Sequence, residues 1–209
     1  MARRDPVRVE CYGAMRTQDG CSVSADAFLI QRGVVTWAAV CDGAGNAGQV
    51  AKRALRVFQT PTKQATAEQA MADASWTAWT KLLDSALLGG PEATFACAAV
   101  VGTEVCGAVV GDARAYVLTF GGACTIVTDG KMRLGSGRAK ATPIRLALQP
   151  HDVLLLMTDG AWTPLSPYLL ARAVRGAGTT HFSDVPAAIL DGAGRHGRAD
   201  DMTVVALRI

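Results

Sequence analysis

Residues 153–162 read Val-Leu-Leu-Leu-Met-Thr-Asp-Gly-Ala-Trp. The run Val153–Met157 reads as an apolar strand, far too short to cross a bilayer, and Asp159 stands just past its end. Working outward from it, the same arrangement recurs. Asp42 follows the strand-like Val34–Cys41, Asp112 precedes Ala113–Phe120, and Asp200 precedes Thr203–Ile209. Strand ends hold side chains rigidly. Carboxylates gathered there offer hard oxygen ligands suited to Mg2+ or Mn2+, which prefer oxygen and water to sulfur or imidazole. Two such ions can bridge one water, lower its pKa and clamp a phosphoryl oxygen. Asp42 and Asp159 are each followed by glycine, which permits a tight turn and lets a carbonyl approach a cation. Taken singly, either Asp-Gly reads more simply as a hairpin turn; it is the set that points to a metal.

The remaining elements give the set its frame. Strands are predicted at Val7–Tyr12 and Cys21–Ile30, and helical spacing runs from Ala47 to Phe58. A longer helix fits Thr66–Leu88 and is closed by Gly89-Gly90-Pro91. Strands follow at Thr94–Gly102, Glu104–Val110, Ala113–Phe120 and Cys124–Thr128, then a glycine-rich polar stretch over Gly130–Ala141. After Val153–Met157 come helices near Pro167–Val174 and Val185–His196 and the final strand Thr203–Ile209. This order lacks the regular alternation of a parallel doubly wound sheet. It predicts an α+β fold of two packed antiparallel β-sheets flanked by α-helices, a four-layer α/β/β/α sandwich.

A chain of 209 residues supports one substantial core, so a single domain over 1–209 is expected, with only residues 1–6 outside the fold. Half the residues are hydrophobic and the net charge is +3, with Arg and Lys scattered rather than gathered into a stripe, which argues against nucleic acid. Met1–Asp5 lacks the apolar core of a signal peptide, so a cytoplasmic protein free of the membrane is expected. Cysteines at 11, 21, 41, 97, 106 and 124 form no C-x-x-C pair, and reduced thiols in apolar segments are expected.

Five segments occur in a telling order: Gln18-Asp19, Ala39-Val-Cys-Asp-Gly-Ala-Gly45, Gly111-Asp-Ala-Arg-Ala-Tyr-Val-Leu118, Leu154-Leu-Leu-Met-Thr-Asp-Gly-Ala-Trp162 and Ala199-Asp-Asp-Met-Thr-Val-Val205. With them the chain resembles the type 2C, metal-dependent (PPM-type) serine/threonine protein phosphatases, in a compact bacterial-like form. Thr94 also sits where that family has a threonine at a strand entry. The resemblance implies catalytic roles for Asp42, Asp159 and Asp200. Asp42 would bridge two metals, with the Gly43 carbonyl on one and Asp159 and Asp200 on the other. Asp19 would hold metal-bound water, Asp112 a third, more labile cation together with Asp159, and Arg16 the substrate phosphate. It implies two or three Mn2+ or Mg2+ ions and direct attack of the bridging water on phosphoserine or phosphothreonine. It further implies a phosphoprotein substrate, a serine/threonine kinase as counterpart, and a monomer.

The chain departs from that pattern in places. Ala44 stands where many eukaryotic members carry a histidine, and Gln18 where a glutamate is common. Arg16 lies three residues before Asp19 rather than four or five, a change that on a strand can turn a side chain to the opposite face. The stretch Gly130–Lys140 reads as a reduced flap whose Lys131, Arg133 and Arg138 attract a phosphorylated substrate, or as a solvated basic loop. Arg114 either pairs with a carboxylate near the cluster or contacts substrate. Asp201 reads as an outer or solvent-facing carboxylate, Trp37, Trp76, Trp79 and Trp162 as packing residues, and His151, His181 and His196 as surface residues. The alternative reading is a weak or inactive phosphatase-fold module that binds a signalling partner; a hydrolase of small phosphate esters is a third.

Overall fold

In a computed structural model of the chain, which describes residues 7–44, 49–122, 124–129, 132–178, 181–195 and 199–209, the strands form two five-stranded antiparallel sheets. The first runs β1 (Glu10–Arg16), β10 (Met202–Arg208), β9 (Val153–Met157), β6 (Arg114–Leu118), β7 (Cys124–Asp129). The second runs β2 (Ala27–Gln31), β3 (Thr36–Gly43), β4 (Ala93–Val101), β5 (Glu104–Val110), β8 (Thr142–Ala147). Helices α1 (Gln49–Thr62), α2 (Ala67–Met71) and α3 (Asp73–Leu87) cover the second sheet. Helices α4 (Asp159–Trp162), α5 (Pro167–Gly178) and α6 (Val185–Gly194) cover the first. This is the four-layer sandwich that the sequence predicts. The expectations for residues 1–6, Lys131 and His196, and the start of the helix expected from Ala47, lie outside the described residues.

Alternation along each strand explains the layers. In β3, Trp37, Ala39 and Cys41 pack against the helices while Ala38 and Val40 face the other sheet. The apolar run of β9 divides likewise: Val153, Leu155 and Met157 meet helices, and Leu154 and Leu156 meet the second sheet. Between the sheets, Ala38, Ala96 and Ala98 lie opposite Leu154, Leu156 and Leu207, so small residues make room for large ones. Outside the second sheet, Trp37, Phe58, Trp76, Trp79 and Phe95 interlock with ring centroids 5.1–6.4 Å apart. Full burial of such a side chain contributes about 1.5–3 kcal/mol. Cys11, Cys41, Cys97 and Cys106 are buried free thiols, as expected.

Several boundaries differ from the sequence expectation. The first strand lies at Glu10–Arg16 rather than Val7–Tyr12, because its pairing with β10 runs from Glu10↔Arg208 to Arg16↔Met202. Residues 21–26, expected to be strand, form a loop, and β2 begins only at Ala27. The expected helix Thr66–Leu88 is two helices, since Ala72 adopts an extended φ, ψ of −93°, 124°. Thr66 caps α2 in a reciprocal pair with Gln69. Strand β8 was not expected; it adds to the edge of β5, where Pro143 is tolerated. Among the described residues, no helix is long and apolar enough to cross a membrane.

Candidate metal centre

The carboxylates predicted at strand ends converge where both sheets stop at the same edge of the sandwich. Asp42 continues the parity of Ala38 and Val40 in β3 and so lies on the side facing the other sheet. The chain crosses from one sheet to the other between β5 and β6, at Gly111, Asp112 and Ala113. Gly111 has φ +84°, and a Cβ there would lie 2.8 Å from Thr94 side-chain atoms, so only glycine fits this crossing. Asp159 begins α4 directly after β9, and its Oδ1 accepts from Gly160 N at 2.9 Å. Carboxylate oxygens of Asp42, Asp112 and Asp159 lie within 4.8 Å of one another.

A cleft of about 590 Å³ opens here, lined by Asp42, Gly43, Asp159, Asp200 and Arg133 and by the 20–23 loop. Asp200 is thus at the cleft but outside the close group of three, and its Oδ1 accepts from Asp201 N at 2.8 Å. Asp19 is not among the lining residues, although its neighbours Gln18 and Gly20 are. Arg16 is not brought to the cleft: its guanidinium pairs with Asp191 on α6. Its place on β1 directs it to the helices that cover the first sheet.

Asp26 was missed by the sequence reading. It is 1% exposed and lies one residue beyond the last β2–β3 pair, Ala27↔Cys41, across from Asp42. Its Oδ2 accepts from Thr158 Oγ1 at 2.8 Å, and that hydroxyl oxygen accepts from Thr203 N at 2.9 Å. As a carboxylate, its Oδ1 would have no donor among the described residues. Burial, then the charge of Asp42, pushes the Asp26 pKa up to about 8, and a proton on Asp26 bonds to Asp42. Burial and then the charge of Asp159 raise Asp42 to about 6, against the hydrogen bond from Asp26. Asp159 is raised by burial and then by Asp112 and Asp200. The sequence carried one signal for this residue: Ser24-Ala25-Asp26 immediately precedes the apolar run Ala27–Ile30 of β2.

Two further aspartates act on backbone. Asp201, 6% exposed, accepts from Gln18 N at 2.6 Å and also from Ala25 N, and so pins the loop that walls the cleft. Asp84 on α3 accepts from Gly135, Gly137 and Ala139 N–H at 2.7, 3.1 and 3.1 Å. Leu134, fully buried, is bonded in both directions to Ala93. The described part of the expected flap is therefore a pinned loop. It carries Arg133, whose Nη2 lies 2.8 Å from Asp112 Oδ2. Arg114 lies over the Trp162 ring, 3.4 Å from its centroid, and Trp162 Nε1 donates to Asp112 O at 3.0 Å.

Crowded carboxylates with one guanidinium among them repel, and hard divalent cations are the ligand class that such an all-oxygen set fits. The sign of the pH dependence follows. Acids with raised folded-state pKa values keep protons that the unfolded chain has lost between about pH 4 and pH 8. In EDTA, stability from these groups should therefore fall as pH rises through that window. A cation binds the ionised form, so the rise in melting temperature on adding Mn2+ should be larger at pH 8 than at pH 5. Thermal unfolding with Mn2+ or EDTA at both values checks this; equal shifts would refute carboxylate ligation.

The sequence profile of the family described as Stage II sporulation protein E (SpoIIE) matches residues 36–209. No curated protein gives a match. Among solved structures, the chain is similar to a bacterial serine phosphatase bearing a point mutation, at 20% identity and TM-score 0.87, over 97% of this chain and 99% of that one. It is similar to the S. agalactiae serine/threonine phosphatase at 15% identity and TM-score 0.83, over 97% and 100%. It is also similar to the catalytic domain of the serine/threonine phosphatase PstP in complex with two manganese ions, at 17% identity and TM-score 0.79, over 96% and 97%. At such identities the likeness of structures shows the fold.

Proposed function

The chain belongs to the Stage II sporulation protein E (SpoIIE) family and has the fold of PPM-type phosphatases, and on that premise we propose that it is a metal-dependent phosphoprotein phosphatase acting on phosphoserine and phosphothreonine. The observation that carries this reading is the meeting of Asp42, Asp112 and Asp159 within 4.8 Å at an open cleft. Asp42, Asp159 and Asp200 would hold two Mn2+ or Mg2+ ions with the Gly43 carbonyl, Asp112 would share a third with Asp159, and Asp19 would act through water. Bound cations supply an activated water and neutralise the phosphoryl oxygens. Asp26, buried one residue beyond the β2–β3 pairing, backs Asp42 from the interior side. Ala44 offers no proton, so the leaving alkoxide takes one from water or from another group. The substrate is a phosphoprotein, with a serine/threonine kinase as the opposing activity, and the domain works as a cytoplasmic monomer.

The test is hydrolysis of a phosphothreonine peptide and of p-nitrophenyl phosphate, with Mn2+ and Mg2+ titrated and an EDTA control. Metal-dependent turnover with preference for the peptide is expected. Preference for the small ester would remove the protein substrate, and Mn2+ binding without turnover would leave a binding module.

A further inference from the structure

We propose that Arg133 is the phosphate-gripping residue of this site and that it competes with a cation for Asp112. The proposal rests on the phosphatase reading. Arg133 is the one basic residue among the described residues that line the cleft. The other arginines that the sequence offered are placed elsewhere: Arg16 pairs with Asp191, Arg114 lies over Trp162, and Arg138 is exposed away from the cleft. The backbone that carries Arg133 is fixed on both counts described above, by the Leu134–Ala93 pair and by the Asp84 carboxylate. Its side chain is freer, with 34% of its surface exposed, and its guanidinium pairs with Asp112 Oδ2 at 2.8 Å.

That contact puts a monovalent cation on a carboxylate whose other oxygen, Oδ1, is buried and lacks a hydrogen-bond partner among the described residues. A divalent cation held by Asp112 would offer it more charge than a guanidinium does, and Arg133 would then give up this contact. The displaced fork remains tethered at the cleft wall, where phosphate oxygens arrive, and a guanidinium matches two of them at once. Cation on Asp112 and phosphate on Arg133 are then positively coupled: each makes room for the other.

Calorimetric titration of Mn2+, and of inorganic phosphate into the Mn2+-loaded protein, tests this in wild type, Arg133→Ala and Arg133→Lys. In Arg133→Ala the weakest Mn2+ site should tighten about tenfold, because its competitor is gone, while phosphate affinity falls about 10- to 100-fold. KM for p-nitrophenyl phosphate should rise with the phosphate constant while kcat changes less. Arg133→Lys keeps a charge on Asp112 without the fork, so it should restore Mn2+ competition but not phosphate affinity. A residue that only shapes the loop would not move the two affinities in opposite directions. Unchanged phosphate affinity in Arg133→Ala, or weaker Mn2+ binding, overturns the proposal. Wild-type protein that binds phosphate through Arg133 without turnover would remove the phosphatase reading alone; turnover with KM unchanged in Arg133→Ala would remove only the role of Arg133.

Discussion

Asp42→Asn should lower kcat/KM by about 1,000-fold or more and at the same time raise the thermal stability of the protein in EDTA. Asparagine keeps the shape of the side chain but removes one of the carboxylates that lie within 4.8 Å of one another. An amide nitrogen then points where a cation needs oxygen, so ligation fails. The same loss of charge relieves Asp26 and Asp159, both of which carry the cost of standing beside charged neighbours. Stability and activity should therefore move in opposite directions, a signature that general misfolding cannot imitate. Steady-state kinetics beside thermal unfolding in EDTA reads both. Turnover within tenfold of wild type would sink the assignment of Asp42 as the central ligand.

Gly160→Ala is the second change with a large expected effect, and it acts through backbone. A Cβ on Gly160 would lie 2.0 Å from the carbonyl oxygen of Asp201 and 3.2 Å from Asp200 Cβ. Neither side can yield easily. Gly160 follows Asp159 in the first turn of α4, and Asp201 is tied by its carboxylate to Gln18 and Ala25. One methyl group must push α4 away from β10 and so separate Asp159 from Asp200. The expected cost is about 2–4 kcal/mol of stability, with an activity loss of about 100-fold from misplaced ligands. Chemical denaturation and kinetics check it, with Gly33→Ala as the control, because a Cβ there meets only Val35 O at 3.6 Å. Equal stability of the two variants would show that the Gly160 contact relaxes freely.

Much of this arrangement could be read from the residues because it depends on local pattern. Asp42, Asp112, Asp159 and Asp200 each adjoin a strand whose apolar pattern is plain, and strands that end at one edge bring their terminal residues together. Asp26 was hidden because its meaning depends on register: reading Cys21–Ile30 as one strand placed it mid-strand, whereas pairing with β3 sets it across from Asp42. Strand β8 was hidden because Pro143 and Arg145 interrupt the pattern, and an edge strand half open to solvent needs no continuous apolar face. The break at Ala72 was hidden for a tertiary reason. Trp76 Nε1 donates to Ala70 O at 2.9 Å, and Arg145 donates to Met71 O and to Asp73 at 2.8 Å each. Those side-chain bonds satisfy carbonyls that a continuous helix would have used.

Strand β10 is the last of the described strands in chain order, yet it lies between β1 and β9, paired to both. Its insertion joins residues nearly two hundred positions apart, Glu10 with Arg208. Such pairing demands loop closure before any contact rewards it, so folding of the first sheet belongs to the slow, high-contact-order class. During synthesis, a nascent chain could close the second sheet around β3, β4, β5 and β8 well before β10 emerges from the ribosome. Asp200 and Asp201 arrive at the head of that same late strand, so the cleft stays unbuilt until then. Whatever cation or substrate this cleft takes, a chain in which β10 has not yet paired lacks the wall that receives it.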